Sequence, residues 1–116
     1  MIKEYFYRQR MKKKGYDNLP KVSKEAILTY KTETKNGKYM TDFQILKKLL
    51  RDYQMAESIV INDSGIQILR YGNLQLDVDI TSNTIVSITN FKGRCDNRYY
   101  PNTKLKELLI KVFEVE

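Results

Sequence analysis

An α+β fold, with an antiparallel sheet of four or five strands and two amphipathic helices packed on one of its faces, is what the 116-residue chain predicts. Three observations carry that expectation. A capped apolar stripe follows Thr41, strand-like segments alternate with turn residues from residue 58 to residue 91, and a second apolar stripe closes the chain. Connections this short leave neighbouring strands antiparallel, in a meander that stays open or curls into a partly closed barrel. The chain divides into a basic N-terminal arm, residues 1–24, and a single α+β domain, residues 25–116.

Residues 2–13 can form a short helix with Ile2, Tyr5, Phe6 and Gln9 along one side. The triplet Tyr5-Phe6-Tyr7 argues that part of this segment docks. Lys12-Lys13-Lys14-Gly15 and Pro20 then read as the joint to the body. Over 26–34, β-branched and aromatic residues recur at Ile27, Thr29, Tyr30, Thr32 and Thr34, and Asn36-Gly37 follows. That dipeptide suits the left-handed backbone of a type I′ turn, so the segment predicts a strand turning back through Lys38-Tyr39-Met40. A helix starting at Ser23 is the alternative.

Thr41-Asp42-Phe43-Gln44 is a capping box. Phe43, Leu46, Leu50 and Tyr53 then line one face of a helix over 41–55, with Lys47, Lys48 and Arg51 on the other side. The meander follows as 58–62, 66–71, 74–80 and 84–91, divided by Asp63-Ser64-Gly65, Gly72-Asn73 and Thr81-Ser82-Asn83. Leu74, Leu76, Val78 and Ile80 alternate with Gln75, Asp77 and Asp79, which gives this strand one core face and one wet face. Leu76, Val78, Val86 and Ile88 are expected to face the helices. A polar, tyrosine-rich loop over 94–102 leads into the last helix, where Leu105, Leu108, Leu109, Val112 and Phe113 share a face.

Composition narrows the chemistry. The chain has no His and one Cys, which removes His-dependent triads and dyads, structural zinc and an intrachain disulfide. No cofactor and no metal is expected. The start lacks the apolar core of a signal peptide and no run reaches membrane-spanning length, so the expected location is the cytoplasm. Lys, Asn, Ile and Tyr, the residues of AT-rich codons, are abundant, which points to a low-GC bacterium or its mobile element.

The net charge is +7 with a pI near 9.4, and the excess sits in residues 1–24, where eight basic residues face Glu4 and Asp17. Arg8, Arg10, Lys12, Lys13 and Lys14 form a candidate phosphate-binding strip. Lys92, Arg94 and Arg98 beside Tyr99 and Tyr100 form a second. Guanidinium groups fork onto phosphate oxygens, and tyrosine rings stack on unpaired bases. Both have plainer readings, as a solvated charge run and as tyrosines plugging the gap between sheet and last helix. Cys95 reads as ordinary packing, and Glu57, Asp63, Asp77 and Asp79 mark a wet sheet face more simply than a Mg²⁺ site.

These features predict a small, non-enzymatic nucleic-acid-binding protein with a regulatory or accessory role, RNA slightly preferred over single-stranded DNA. An inhibitor or adaptor that lays the basic arm on an acidic protein surface is the alternative. A His-free small ribonuclease centred on Lys92, Arg94, Arg98 and Tyr99 is the third reading.

Overall fold

Residues 2–91 and 103–115 are described by a computed structural model of the chain. Four strands form the predicted meander: β2 (Glu57–Ile61), β3 (Ile66–Tyr71), β4 (Leu74–Asp79) and β5 (Thr84–Asn90), each antiparallel to the next. A two-residue strand that precedes them in the chain, β1 (Lys21–Val22), adds to the far side of β5 in parallel, giving the order β1-β5-β4-β3-β2. Among the described residues β1 and β2 are the two ends of that order and do not pair with each other, so the sheet is open and the partly closed barrel does not form.

The alternation in β4 works as the sequence implies from Leu74 to Asp79: Leu74, Leu76 and Val78 are buried, and Gln75, Asp77 and Asp79 face the wetter side, but the strand ends there and Ile80, expected inward, is 46% exposed. Strand β5 departs from it. Val78 pairs with Ile85 whereas Asp77 pairs with Ser87, which leaves Val86 as an extra residue in a bulge. Ile85 and Ile88, three positions apart, therefore share the buried face, and Val86, expected inward, is only partly buried. The Ser23 hydroxyl holds the bulge by donating to the Val86 carbonyl (2.8 Å).

The same hydroxyl accepts from the Ala26 amide (3.0 Å) and so caps helix α2 (Lys24–Glu33). The strand expected over 26–34 is this helix. Ala26 and Tyr30, four apart, face the sheet and are buried; packing of that face outweighs the β-propensity of the threonines. Nor does Asn36-Gly37 make a hairpin, because Asn36 has right-handed backbone (φ −103°, ψ −4°) and Gly37 opens a 3₁₀ turn, Gly37–Tyr39. Gly37 is required for space: a Cβ there would collide with the Tyr30 carbonyl oxygen and the Lys31 backbone.

The predicted capping box starts helix α3 (Asp42–Met55). Gln44 N–H donates to Thr41 Oγ1 (3.2 Å), and Thr41 N–H donates to Gln44 Oε1 (2.9 Å). Ile45 and Leu49 of α3 join the sheet-side core with Tyr30, Leu76 and Ile85. Leu46 and Leu50 join a second core on the opposite flank. Helix α4 (Thr103–Phe113) contributes Leu109 and Phe113 to that second core.

The N-terminal segment completes it. The first helix, α1 (Ile2–Lys13), docks through Tyr7 and Met11, both fully buried against Leu50 and Phe113. The helix expected over 2–13 is present with a different face inward: Ile2, Tyr5 and Phe6 are 74%, 59% and 55% exposed. Tyr7 Oη donates to the Phe113 carbonyl (2.9 Å), and its ring meets Phe43 edge-on.

Deleting residues 1–14 should therefore uncover the second core. Losing two fully buried side chains is expected to cost about 5 kcal/mol or more, seen as a lower thermal midpoint and a lower denaturant midpoint. Unchanged midpoints would show that α1 is a dispensable arm.

Candidate functional site

Two of the five cations of α1, Arg8 and Arg10, are committed within the fold, and Lys14 just beyond the helix is a third. Arg8 Nε donates to Glu4 Oε2 (2.8 Å) and its Nη2 to the Pro20 carbonyl (3.0 Å). Arg10 forks onto Glu114, with Nε to Oε2 at 3.0 Å and Nη2 to Oε1 at 2.8 Å, and this holds the Glu114 carboxyl below its usual range. Lys14 Nζ donates to the Val112 carbonyl (2.9 Å), Lys47 Nζ to that of Glu114 (2.8 Å) and Arg51 Nη1 to that of Val115 (3.1 Å). Four cations thus converge on the C-terminal end of α4, where carbonyls lack helical partners and the helix dipole is negative. Of the expected strip, Lys12 and Lys13 are exposed and make none of these contacts.

Lys92, Arg94, Arg98, Tyr99 and Tyr100 lie outside the described residues, as does Cys95. The acidic face has structural work. Asp77 accepts from Gln75 Nε2 (3.0 Å) and Ser87 Oγ (2.9 Å), and Asp79 Oδ1 accepts from the Thr81 amide (3.0 Å) in the next turn. Among the described residues, no three His, Cys, Asp or Glu side chains are grouped to hold a metal ion.

A cleft of about 440 Å³ opens between the end of α2, the middle of α3, the β3–β4 turn and the start of α4. Tyr30, Lys48, Asp52, Tyr71 and Lys106 form its chemically distinctive wall. Asn90 and Thr103 also line it, so the cleft sits where the chain leaves β5 and where it enters α4.

Asp52 is its least expected member. It stands three residues after Leu49 and seven after Ile45, on the sheet-side stripe of α3, and is 2% exposed. Arg51, expected on the solvent side, is equally buried, because α1 and α4 cover the flank that would otherwise be wet. Arg51 Nη2 donates to Asp52 Oδ1 (3.3 Å). Burial pushes the Asp52 carboxyl up to about 6, against the opposing pull of Arg51, Lys48 and Lys106. Burial likewise lowers Lys48, partly offset by Asp52, and its Nζ lies 6.0 Å from the centre of the Tyr30 ring. Tyr30 is pushed up to about 12 and Tyr71 is raised, both by burial, so the two phenols keep their protons at neutral pH. The result is an acceptor carboxylate that shares a cleft with two ammonium groups and two tyrosines.

The raised Asp52 pKa has a defined consequence for stability. The folded state holds this proton more tightly than the unfolded chain, so the group contributes most stability below pH 4 and loses it as pH rises to about 6. The full loss is of the order of 3 kcal/mol. Denaturant unfolding of wild type and Asp52→Asn between pH 4 and pH 7 should show the wild type weakening relative to the variant as pH rises. A constant difference would place Asp52 at an ordinary pKa.

Among the described residues no helix is long and apolar enough to cross a membrane. No curated protein and no solved structure matches the chain. Residues 20–111 match a protein family that points to a phage or mobile-element origin; the matched span begins after α1 and ends within α4. Its extent, well over half the sequence, settles the assignment: the chain belongs to the YorE family.

Proposed function

We propose that this protein binds RNA or single-stranded DNA, without catalysis, as an accessory or regulatory protein, and that the cleft at Lys48 and Lys106 is the centre of the contact. The observation that carries this reading is the cleft's place in the chain. Its rim residues Asn90 and Thr103 flank in sequence the segment bearing Lys92, Arg94, Arg98, Tyr99 and Tyr100, so the described chain on either side of that segment borders the cleft. Cations alternating with aromatic surfaces suit a flexible phosphate backbone with unpaired bases. The net charge of +7 adds long-range attraction. Arg8, Arg10 and Lys14 contribute less than their number suggests, since each already holds an internal acceptor. An accessory role also suits the mobile-element origin that the family points to.

One observation favours a protein partner as the second reading. Edge strand β2 exposes Ile59, Val60 and Ile61 by 52%, 48% and 56%, and an exposed apolar edge can accept an extended strand from another chain.

Fluorescence anisotropy with a labelled single-stranded oligonucleotide separates the two. If about three phosphates are neutralised, the logarithm of affinity should fall with the logarithm of salt at a slope near −2. The double change Lys48→Gln and Lys106→Gln should flatten that slope by about one or more, and Lys12→Gln with Lys13→Gln should flatten it less. Absence of binding at low salt would leave the edge-strand reading in possession.

A further inference from the structure

Phosphate binding calls for cations and gives a carboxylate on the same wall nothing to do. Asp52 is nonetheless there, 2% exposed and lining the same cleft as Lys48 and Lys106. Among the described residues, its carboxylate accepts one hydrogen bond, from Arg51 Nη2 to Oδ1, which leaves Oδ2 without a donor. An ionised carboxylate is acceptor-only, so a ligand that satisfies it must donate. The occupant that fits the whole wall carries negative charge for the lysines, a flat face for the tyrosines and a donor edge for Asp52.

We propose that the cleft is a pocket for one nucleotide in which Asp52 selects the base, with guanine preferred. This rests on the reading of the protein as a nucleic-acid binder and adds the base specificity to it. About 440 Å³ lies within the usual range for small-ligand sites and suffices for a single nucleotide. The bases differ in what they offer an acceptor. Guanine presents its ring N1–H and its exocyclic amino group side by side, a match for the two oxygens of one carboxylate. Adenine and cytosine each offer one amino group beside a ring acceptor. Uracil offers a single N–H between two carbonyl oxygens, both of which a carboxylate repels. The order of affinity is therefore guanine first, adenine and cytosine next, uracil last. Arg51 is a positioning residue here: its bond to Oδ1 restrains the carboxylate, and its own bond to the Val115 carbonyl restrains the guanidinium.

The test uses the full chain at pH 7.5, where Asp52 is ionised. Calorimetric titrations with GMP, AMP, CMP and UMP are run beside anisotropy with an oligouridine and with the same strand carrying one central guanosine. The guanosine strand should bind about tenfold or more tightly than oligouridine, the size of effect that a bidentate base contact gives. GMP over UMP by a similar factor shows that the pocket also takes free nucleotide; the preference in the strand alone shows that it reads an unpaired base within a chain. Asp52→Asn should reduce the guanine-to-uridine ratio to near one. Lys106→Gln, at an exposed position of α4, should weaken every strand by a common factor and keep the ratio, which preserves the test should the Asp52 variant fold poorly. Equal binding of the two strands by wild type, or an undiminished ratio in Asp52→Asn, overturns the pocket and leaves nucleic-acid binding standing. No binding of either strand overturns both.

Discussion

Helix α3 is covered on two flanks, and most of the structure is arranged by that constraint. Ile45 and Leu49 belong to the core beneath the sheet, whereas Leu46 and Leu50 belong to the core under α1 and α4. A helix enclosed this widely keeps only a narrow wet strip after Leu50, at Tyr53 and Gln54, so Arg51 and Asp52 are buried as neighbours. Burying two opposite charges is tolerable only when hydrogen bonds replace lost water. Arg51 meets part of that need at the Val115 carbonyl and at Asp52. Its bond to Val115 helps to anchor the end of α4, and the anchored helix sets its first turn, with Lys106, on the wall of the cleft. Packing of one helix thus leads to the site.

The excess positive charge has a related explanation. Glu114 has left-handed backbone (φ 61°), a conformation that costs a non-glycine residue about 1–2 kcal/mol. It is held there by the Arg10 fork on its carboxylate and the Lys47 bond to its carbonyl. Exposed ion pairs contribute little singly, but several cations gathered on one helix terminus act together with the dipole. A basic N-terminal segment can therefore be a structural device that closes the last helix. Counting its charges overstates the surface it offers to a polyanion.

What was legible in the sequence follows from the range of the forces involved. The Thr41 capping box and the alternation of Leu74, Leu76 and Val78 are written within a few residues of each other, and both appear as expected; the α3 stripe does so only in part, because Arg51 is buried as well. The α2 segment was misleading because its threonines favour strands locally while Ala26 and Tyr30 are secured by distant partners in the sheet. The Val86 bulge depends on Ser23, and the inward face of α1 depends on Phe113; neither partner is near in sequence. The candidate site divides the same way. Arg10 looks unengaged until Glu114, 104 residues away, is brought beside it. Asp52 could have been found, since a polar residue spaced three and seven positions from Leu49 and Ile45 sits on an apolar stripe. Tyr71 and Lys106, by contrast, join the cleft only through tertiary packing.

The most direct test of this arrangement is residue-resolved. Backbone and side-chain chemical shifts followed by NMR through a titration with a single-stranded oligonucleotide should change most at Lys48, Asp52, Tyr71 and Lys106, with smaller changes at Lys12 and Lys13. Shifts confined to α1, or to the Ile59–Ile61 edge while the cleft stays silent, would contradict it.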